Sequence, residues 1–105
     1  MMTFVFAKKH STNNPPPGVV SGTFSADPGD YDIKVTKASD NSDFTETKSV
    51  TVPGTGAVDV NLQILECSTD HSKTLKVVNA VACGRKKGET SFKQCAIKTI
   101  NYTCA

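Results

Sequence analysis

At 105 residues and a formal net charge of +2, the chain has the length of one domain and should bury roughly two-thirds of the surface its unfolded form exposes. Hydrophobic residues make up 37% and aromatics 7%, with no Trp, so the expected core is a modest one of Val, Ile, Leu and Phe. No apolar run approaches the ~20 residues of a membrane-spanning helix, and the cations are not interleaved with aromatics that could stack on bases, which argues against membrane insertion and nucleic acid.

Helical periodicity is absent, and short alternating runs recur between Gly, Pro, Asn, Asp and Ser clusters, so the chain reads as all-β. A first strand is predicted over Thr3 to Ala7. A polar loop follows, containing His10 and ending in Pro15-Pro16-Pro17-Gly18, where the prolines keep the chain extended and poor in ladder donors. The second strand, Val19 to Ser25, closes at Ala26-Asp27-Pro28-Gly29, a turn in which Pro fixes one torsion and Gly supplies a positive one. Tyr31 to Lys37 forms the third strand, with Tyr31, Ile33 and Val35 on its inner face. Phe44 to Val52 is a Thr-rich fourth strand, predicted at an edge, and Pro53-Gly54-Thr55-Gly56 turns the chain.

The clearest pattern is Val58, Val60, Leu62 and Ile64 alternating with Asp59, Asn61 and Gln63, a period of two that a strand with one buried face requires. Two further strands, Lys73 to Cys83 and Thr90 to Cys104, flank Gly84-Arg85-Lys86-Lys87-Gly88-Glu89. In the last of them Phe92, Ile100 and Tyr102 share one parity and Cys95 and Ile97 the other, which predicts a β-bulge near Ala96. Seven strands with short connections give an antiparallel immunoglobulin-like or prealbumin-like β-sandwich as the leading architecture over residues 1–105, ahead of a small barrel.

Gly22-Thr23-Phe24, followed by Pro28-Gly29-Asp30-Tyr31-Asp32-Ile33-Lys34-Val35, resembles the Gly-x-Phe and Pro-Gly-x-Tyr-x-Val-x-Val run of carboxypeptidase-regulatory and transthyretin-like sandwich domains. The likeness spans residues 18 to 64, with Val58 to Ile64 in the place of that pattern's closing strand. It implies a sandwich used for binding or structure.

Cys67, Cys83, Cys95 and Cys104 are spaced by 16, 12 and 9 residues, with no CxxC pair, which fits a disulfide framework better than zinc, a redox motif or four free thiols. With the last three strands antiparallel, Cys67 and Cys83 stand at opposite ends. At ~3.3 Å per residue they lie beyond the ~7 Å between α-carbons that a bridge tolerates. The nested pairs Cys67–Cys104 and Cys83–Cys95 are therefore expected, contributing roughly 3 to 4 kcal/mol each. Such a framework places the protein outside the cell, and the opening Met-Met-Thr-Phe-Val-Phe-Ala, which lacks a basic leader region, is read as that of a secreted chain without its signal. Asn101-Tyr102-Thr103 is an N-glycosylation pattern.

Candidate chemistry is sparse. His10 and His71 stand in polar loops as solvated side chains, away from any Gly-x-Ser-x-Gly elbow. Asp27, Asp30 and Asp32, and Asp40 with Asp43, cluster in turns that could attract a hard cation, but no Asp-x-Asp-x-Asp-Gly frame is present and Asp is an ordinary turn residue. No cofactor, metal or catalytic activity is expected. Residues 1–72 carry a balance of −4 and residues 73–105 one of +6, so the basic end is a candidate for anionic contact. Within it Arg85, Lys86 and Lys87 form the candidate partner-binding loop, made rigid if Cys83 and Cys95 are joined; a solvated hairpin tip is the plain alternative. The expected function is that of a monomeric secreted binding protein of the effector, toxin, salivary or defence type, its partner an extracellular protein or anionic glycan. The alternatives are a protease inhibitor offering Arg85 to Lys87 to a trypsin-like enzyme, and a carbohydrate-binding or adhesion module.

Overall fold

The computed structural model describes residues 1–105 as seven strands in two antiparallel sheets. These are β1 (Thr3–Phe6), β2 (Val19–Ser25), β3 (Gly29–Lys37), β4 (Lys48–Val52), β5 (Ala57–Gln63), β6 (Lys76–Lys86) and β7 (Lys93–Tyr102). Strands β1-β2-β5 make one sheet and β4-β3-β6-β7 the other. The sheets close over one core of 16 buried residues.

Alternation creates that core. Val60 and Leu62 of β5 are buried while Asp59, Asn61 and Gln63 face water, and the outward polar groups pair across the ladder. Ser21 Oγ donates to Asn61 Oδ1 at 2.7 Å and Thr23 Oγ1 to Asp59 Oδ1 at 3.0 Å, each between directly opposed residues. Inside, Phe24 meets Tyr31 edge to face at 5.3 Å, and Phe44 meets Tyr102 at 4.9 Å. Gly22 takes an inward position opposite Phe6, and a Cβ there would fall 2.4 Å from the Phe4 ring and 2.5 Å from the Val5 carbonyl. Only glycine lets that ring lie across the strand. The run from 18 to 64 that carries the family likeness spans β2 to β5 and is divided between both sheets.

The fourth strand is shorter than the sequence suggests. Residues 44 to 47 precede β4, and Phe44 and Thr45 are buried. The Thr45 hydroxyl accepts the Val35 N–H at 2.9 Å, and an isolated bridge joins Thr45 to Ile64. This segment links the ends of β3 and β5, one from each sheet, in place of extending a ladder.

The nested pairing of cysteines holds for one pair only. Cys67 and Cys104 are bonded, with α-carbons 5.0 Å apart; Cys83 and Cys95 are free thiols. The expected Cys83–Cys95 bridge is absent for a reason of register. Ala82 faces Ala96, but Cys83 faces Gln94, so the bulge leaves Cys95 as the extra residue of β7. Cys83 lies on the outer face, its Sγ 4.0 Å from Thr36 Oγ1. Cys95 turns inward against the core, its Sγ 3.4 Å from where a Cβ on Gly84 would stand. The predicted bulge is present, one residue from its expected place, and it separates the two thiols it was expected to leave paired.

His10 is also not the solvated loop side chain its neighbours imply. It lies in a 3-10 turn, Lys8–Ser11, and is fully buried. His71 is exposed.

Candidate partner-binding site at the β6–β7 hairpin

The basic segment is mostly strand. Gly84, Arg85 and Lys86 continue β6, facing Ile33, Asp32 and Tyr31 of β3, and the connection to β7 runs from Lys87 to Phe92, turning at Gly88 with φ +95°. The ladder persists because Asp32 and Arg85 are opposed charges on neighbouring strands. Gly84 is also a packing residue: a Cβ there would stand 3.1 Å from Phe24 and 3.2 Å from the Met2 sulfur.

Asp32 is the hub of the outer face. Arg85 Nε donates to its Oδ2 at 3.1 Å, Lys87 Nζ to Oδ1 at 3.2 Å and Ser49 Oγ to Oδ1 at 2.9 Å. The Ser49 hydroxyl first, then the Arg85 and Lys87 cations, hold the carboxyl below the usual carboxylate range against an opposing contribution from burial. Beside it the Phe92 ring packs against two cations, Arg85 Cζ at 4.3 Å and Lys34 Nζ at 4.6 Å from its centroid. Lys34 in turn pairs with Asp43 at 2.9 Å. Of the three predicted contact residues, Arg85 and Lys87 are thus engaged within the protein and Lys86 is exposed with no ion pair.

Replacing Asp32 by Asn is expected to destabilise the fold by about 1–3 kcal/mol, because two cations then share a site without their carboxylate. The figure is discounted for the exposure of Lys87, 56% against 10% for Asp32. Because the folded carboxyl is held low, the stability it adds is present above the unfolded value near 3.9 and is lost as pH falls through the lower folded value. Urea unfolding at pH 7 and pH 3 checks both statements: the advantage of the wild type over Asp32→Asn should shrink at pH 3, and equal wild-type and variant stability at pH 7 would refute the hub.

Around the hairpin's inner side, Lys86, Lys93, Met2, Ala26, Tyr31 and Glu89 line an open groove. Both lysines are exposed and neither is ion-paired. Burial pushes the Cys83 and Cys95 thiols up from their ordinary value.

The remaining candidates are dispersed. Asp30 accepts from Thr51, Asp40 from Ser42, and Asp43 from Lys34, while Asp27 is exposed, so the acidic turns do not converge on one point. Glu66, Asp70 and Cys104 do approach one another. Cys104 is in the disulfide, however, and the Lys76 ammonium occupies the space between the carboxylates. That contact draws the Asp70 carboxyl well down and the Lys76 ammonium up, and burial followed by the Glu66 contact pushes Tyr102 up to about 12. Asn101 sits in β7, its Nδ2 donating to the Thr12 carbonyl at 3.0 Å, so a glycan there would have to displace that bond. Comparison with family models, curated proteins and solved structures finds no match to this chain.

Proposed function

We propose that the protein is a secreted, non-enzymatic binding module with an immunoglobulin-like sandwich, and that it docks an anionic extracellular protein or glycan at the tip of its β6–β7 hairpin. The strand order supports the immunoglobulin-like reading. Naming the strands A, B, C, C′, E, F and G gives sheets A-B-E and C′-C-F-G, which is the constant-domain arrangement with its fourth strand moved to the edge of the other sheet. The Cys67–Cys104 bond supports secretion, since such bonds persist where surroundings are oxidising.

The observation that carries the docking is the pair Lys86 and Lys93, exposed beside one groove and unpaired. Cations with no internal partner surrender no contact on meeting an anion. Arg85, by contrast, gives the inhibitor reading little support: a scissile residue must be offered free to a protease pocket, and this one lies in a ladder with its guanidinium held by Asp32 and Phe92.

Retention on immobilised heparin tests the proposal. The double variant Lys86→Ala, Lys93→Ala should elute at clearly lower salt than wild type, while Lys8→Ala, Lys9→Ala, with the same charge change in the exposed 3-10 turn, should elute near wild type. Equal shifts in both variants would reduce the effect to bulk charge and end the proposal.

A further inference from the structure

We infer that Cys83 and Cys95 form a thiol pair that closes into a second disulfide when β7 slips by one residue, and that this slip moves Phe92 from the outer face to the groove. The inference rests on the register of the hairpin and is independent of what the groove binds. From Lys76 to Ala82 the β6–β7 ladder keeps one register; the bulge then shifts it, so that Cys83 faces Gln94 and Gly84 faces Lys93. Carried on without the bulge, the first register would set Cys95 directly opposite Cys83. Directly opposed residues share a face, with α-carbons about 4.5–5.5 Å apart, inside the span a disulfide bridges. The two sulfurs are therefore one residue of slip away from bonding.

The slip has a place to go. The length now held in the bulge passes toward the hairpin connection beyond Lys86, where residues 87 to 91 are exposed and Gly88 has open space around it. Two contacts hold the thiol form in the bulged register. Phe92 packs against Arg85 and Lys34, and Lys93 faces Gly84 rather than another cation. After the slip Lys93 would face Arg85, a like-charge pair that disfavours this register unless a covalent bond holds it. Phe92 would then face Lys86 and turn toward the groove beside Met2, Ala26 and Tyr31. Two packings of one hairpin, biased by one bond, make a two-state element.

The chemistry is thiol–disulfide exchange with a small disulfide such as glutathione disulfide. One protein thiol loses its proton and its sulfur attacks the small disulfide, breaking that S–S bond, forming a mixed disulfide and releasing one glutathione. The second protein thiol loses its proton and attacks the protein-bound sulfur, releasing the other glutathione. Two protein thiols are oxidised, one glutathione disulfide is reduced to two thiols, and Cys67–Cys104 is untouched.

The experiment equilibrates the full chain with glutathione mixtures of increasing oxidised fraction and follows it by peptide mass mapping and NMR. In excess glutathione disulfide the mass should fall by two hydrogens, with the Cys83 and Cys95 peptides linked. The cross-strand contact of Cys83 should move from Gln94 to Cys95, and the Phe92 ring should exchange contacts with Lys34 and Arg85 for contacts with Met2 and Tyr31. Phe92→Ala, which removes the seat of the bulged register, should raise the bridged fraction several-fold at a fixed glutathione ratio. Glutathione adducts on both cysteines without a bridge would overturn the inference, as would a bridge formed with the Cys83–Gln94 contact unmoved, or no effect of Phe92→Ala.

Discussion

Replacing Cys67 and Cys104 together by Ala is expected to lower the stability of the folded protein by about 4 kcal/mol. The bridge spans 37 residues, and closing a loop of that length removes this much chain entropy from the unfolded ensemble on a loop-closure account. Its position adds to its effect. Cys67 lies in the 3-10 turn Leu65–Ser68 that follows β5, and Cys104 follows β7, so the bond ties one sheet to the other at the end of the sandwich. Neighbouring contacts, the Gly18 N–H on the Thr103 carbonyl at 2.7 Å and Tyr102 Oη on Glu66 Oε1 at 3.1 Å, depend on the same alignment. Against a total near 5–15 kcal/mol the loss is large. It corresponds to a fall in melting temperature of roughly 15–30 °C for a domain of this size. Circular dichroism melts check it, and urea titration should show a larger m-value as the unfolded chain expands. A fall under about 5 °C would show that the sheets are held together by their core alone.

What the sequence makes legible is which side of a strand is buried; what it leaves open is how strands are shifted against each other. Val58 to Ile64 alternates without a break, and its strand, its buried face and its polar ladder all follow from that. The same reasoning places β2 and β3 to within two residues. It fails at β6 and β7, because parity records that a bulge is needed but not which residue it expels. There a difference of one residue decides whether two thiols share a face. Gly84 misleads for a related reason: read as the start of a turn, it is a strand glycine over which Phe24 and Met2 pack closely. The alternation of Ala80, Ala82 and Gly84 against Val81, Cys83 and Arg85 was the available signal that the strand runs on and that Arg85 lies on the outer face. Lys93 had no comparable signal, since its place beside Lys86 depends on the shifted register. The partnership of Asp32 with Arg85 joins residues 53 apart in the chain, and local pattern carries no information about it.

His10→Ala should cost about 3–5 kcal/mol, a loss that nothing in the Lys8-Lys9-His10-Ser11 stretch would suggest. The imidazole completes a ladder that β1 abandons. Ala7 N–H still reaches the Ser21 carbonyl at 2.9 Å, but the Ser21 N–H donates at 3.0 Å to His10 Nε2, and His10 Nδ1 donates at 3.1 Å to the Asn101 carbonyl. One ring therefore joins β2 of one sheet to β7 of the other, as the neutral tautomer with its proton on Nδ1. Truncation leaves a buried N–H and a carbonyl unpaired beside a cavity. Protonation is opposed for the same geometric reason, since a second ring N–H would point at the Ser21 N–H. Burial first, and the nearby Lys98 charge as a lesser contribution, push the imidazole below its ordinary value of 6.5, against a raising effect of the Asn101 bond. In the window between the folded and unfolded values the unfolded chain binds the extra proton. Stability from this group is therefore full above pH 6.5 and declines as pH falls below it, levelling off under the folded value. Urea unfolding at pH 7.5 and pH 5.0 should show the wild type weaker at the lower pH, the dependence surviving in His71→Ala and largely lost in His10→Ala. If the slope persisted in His10→Ala, the proton uptake would belong to another group and the buried neutral imidazole would be wrong.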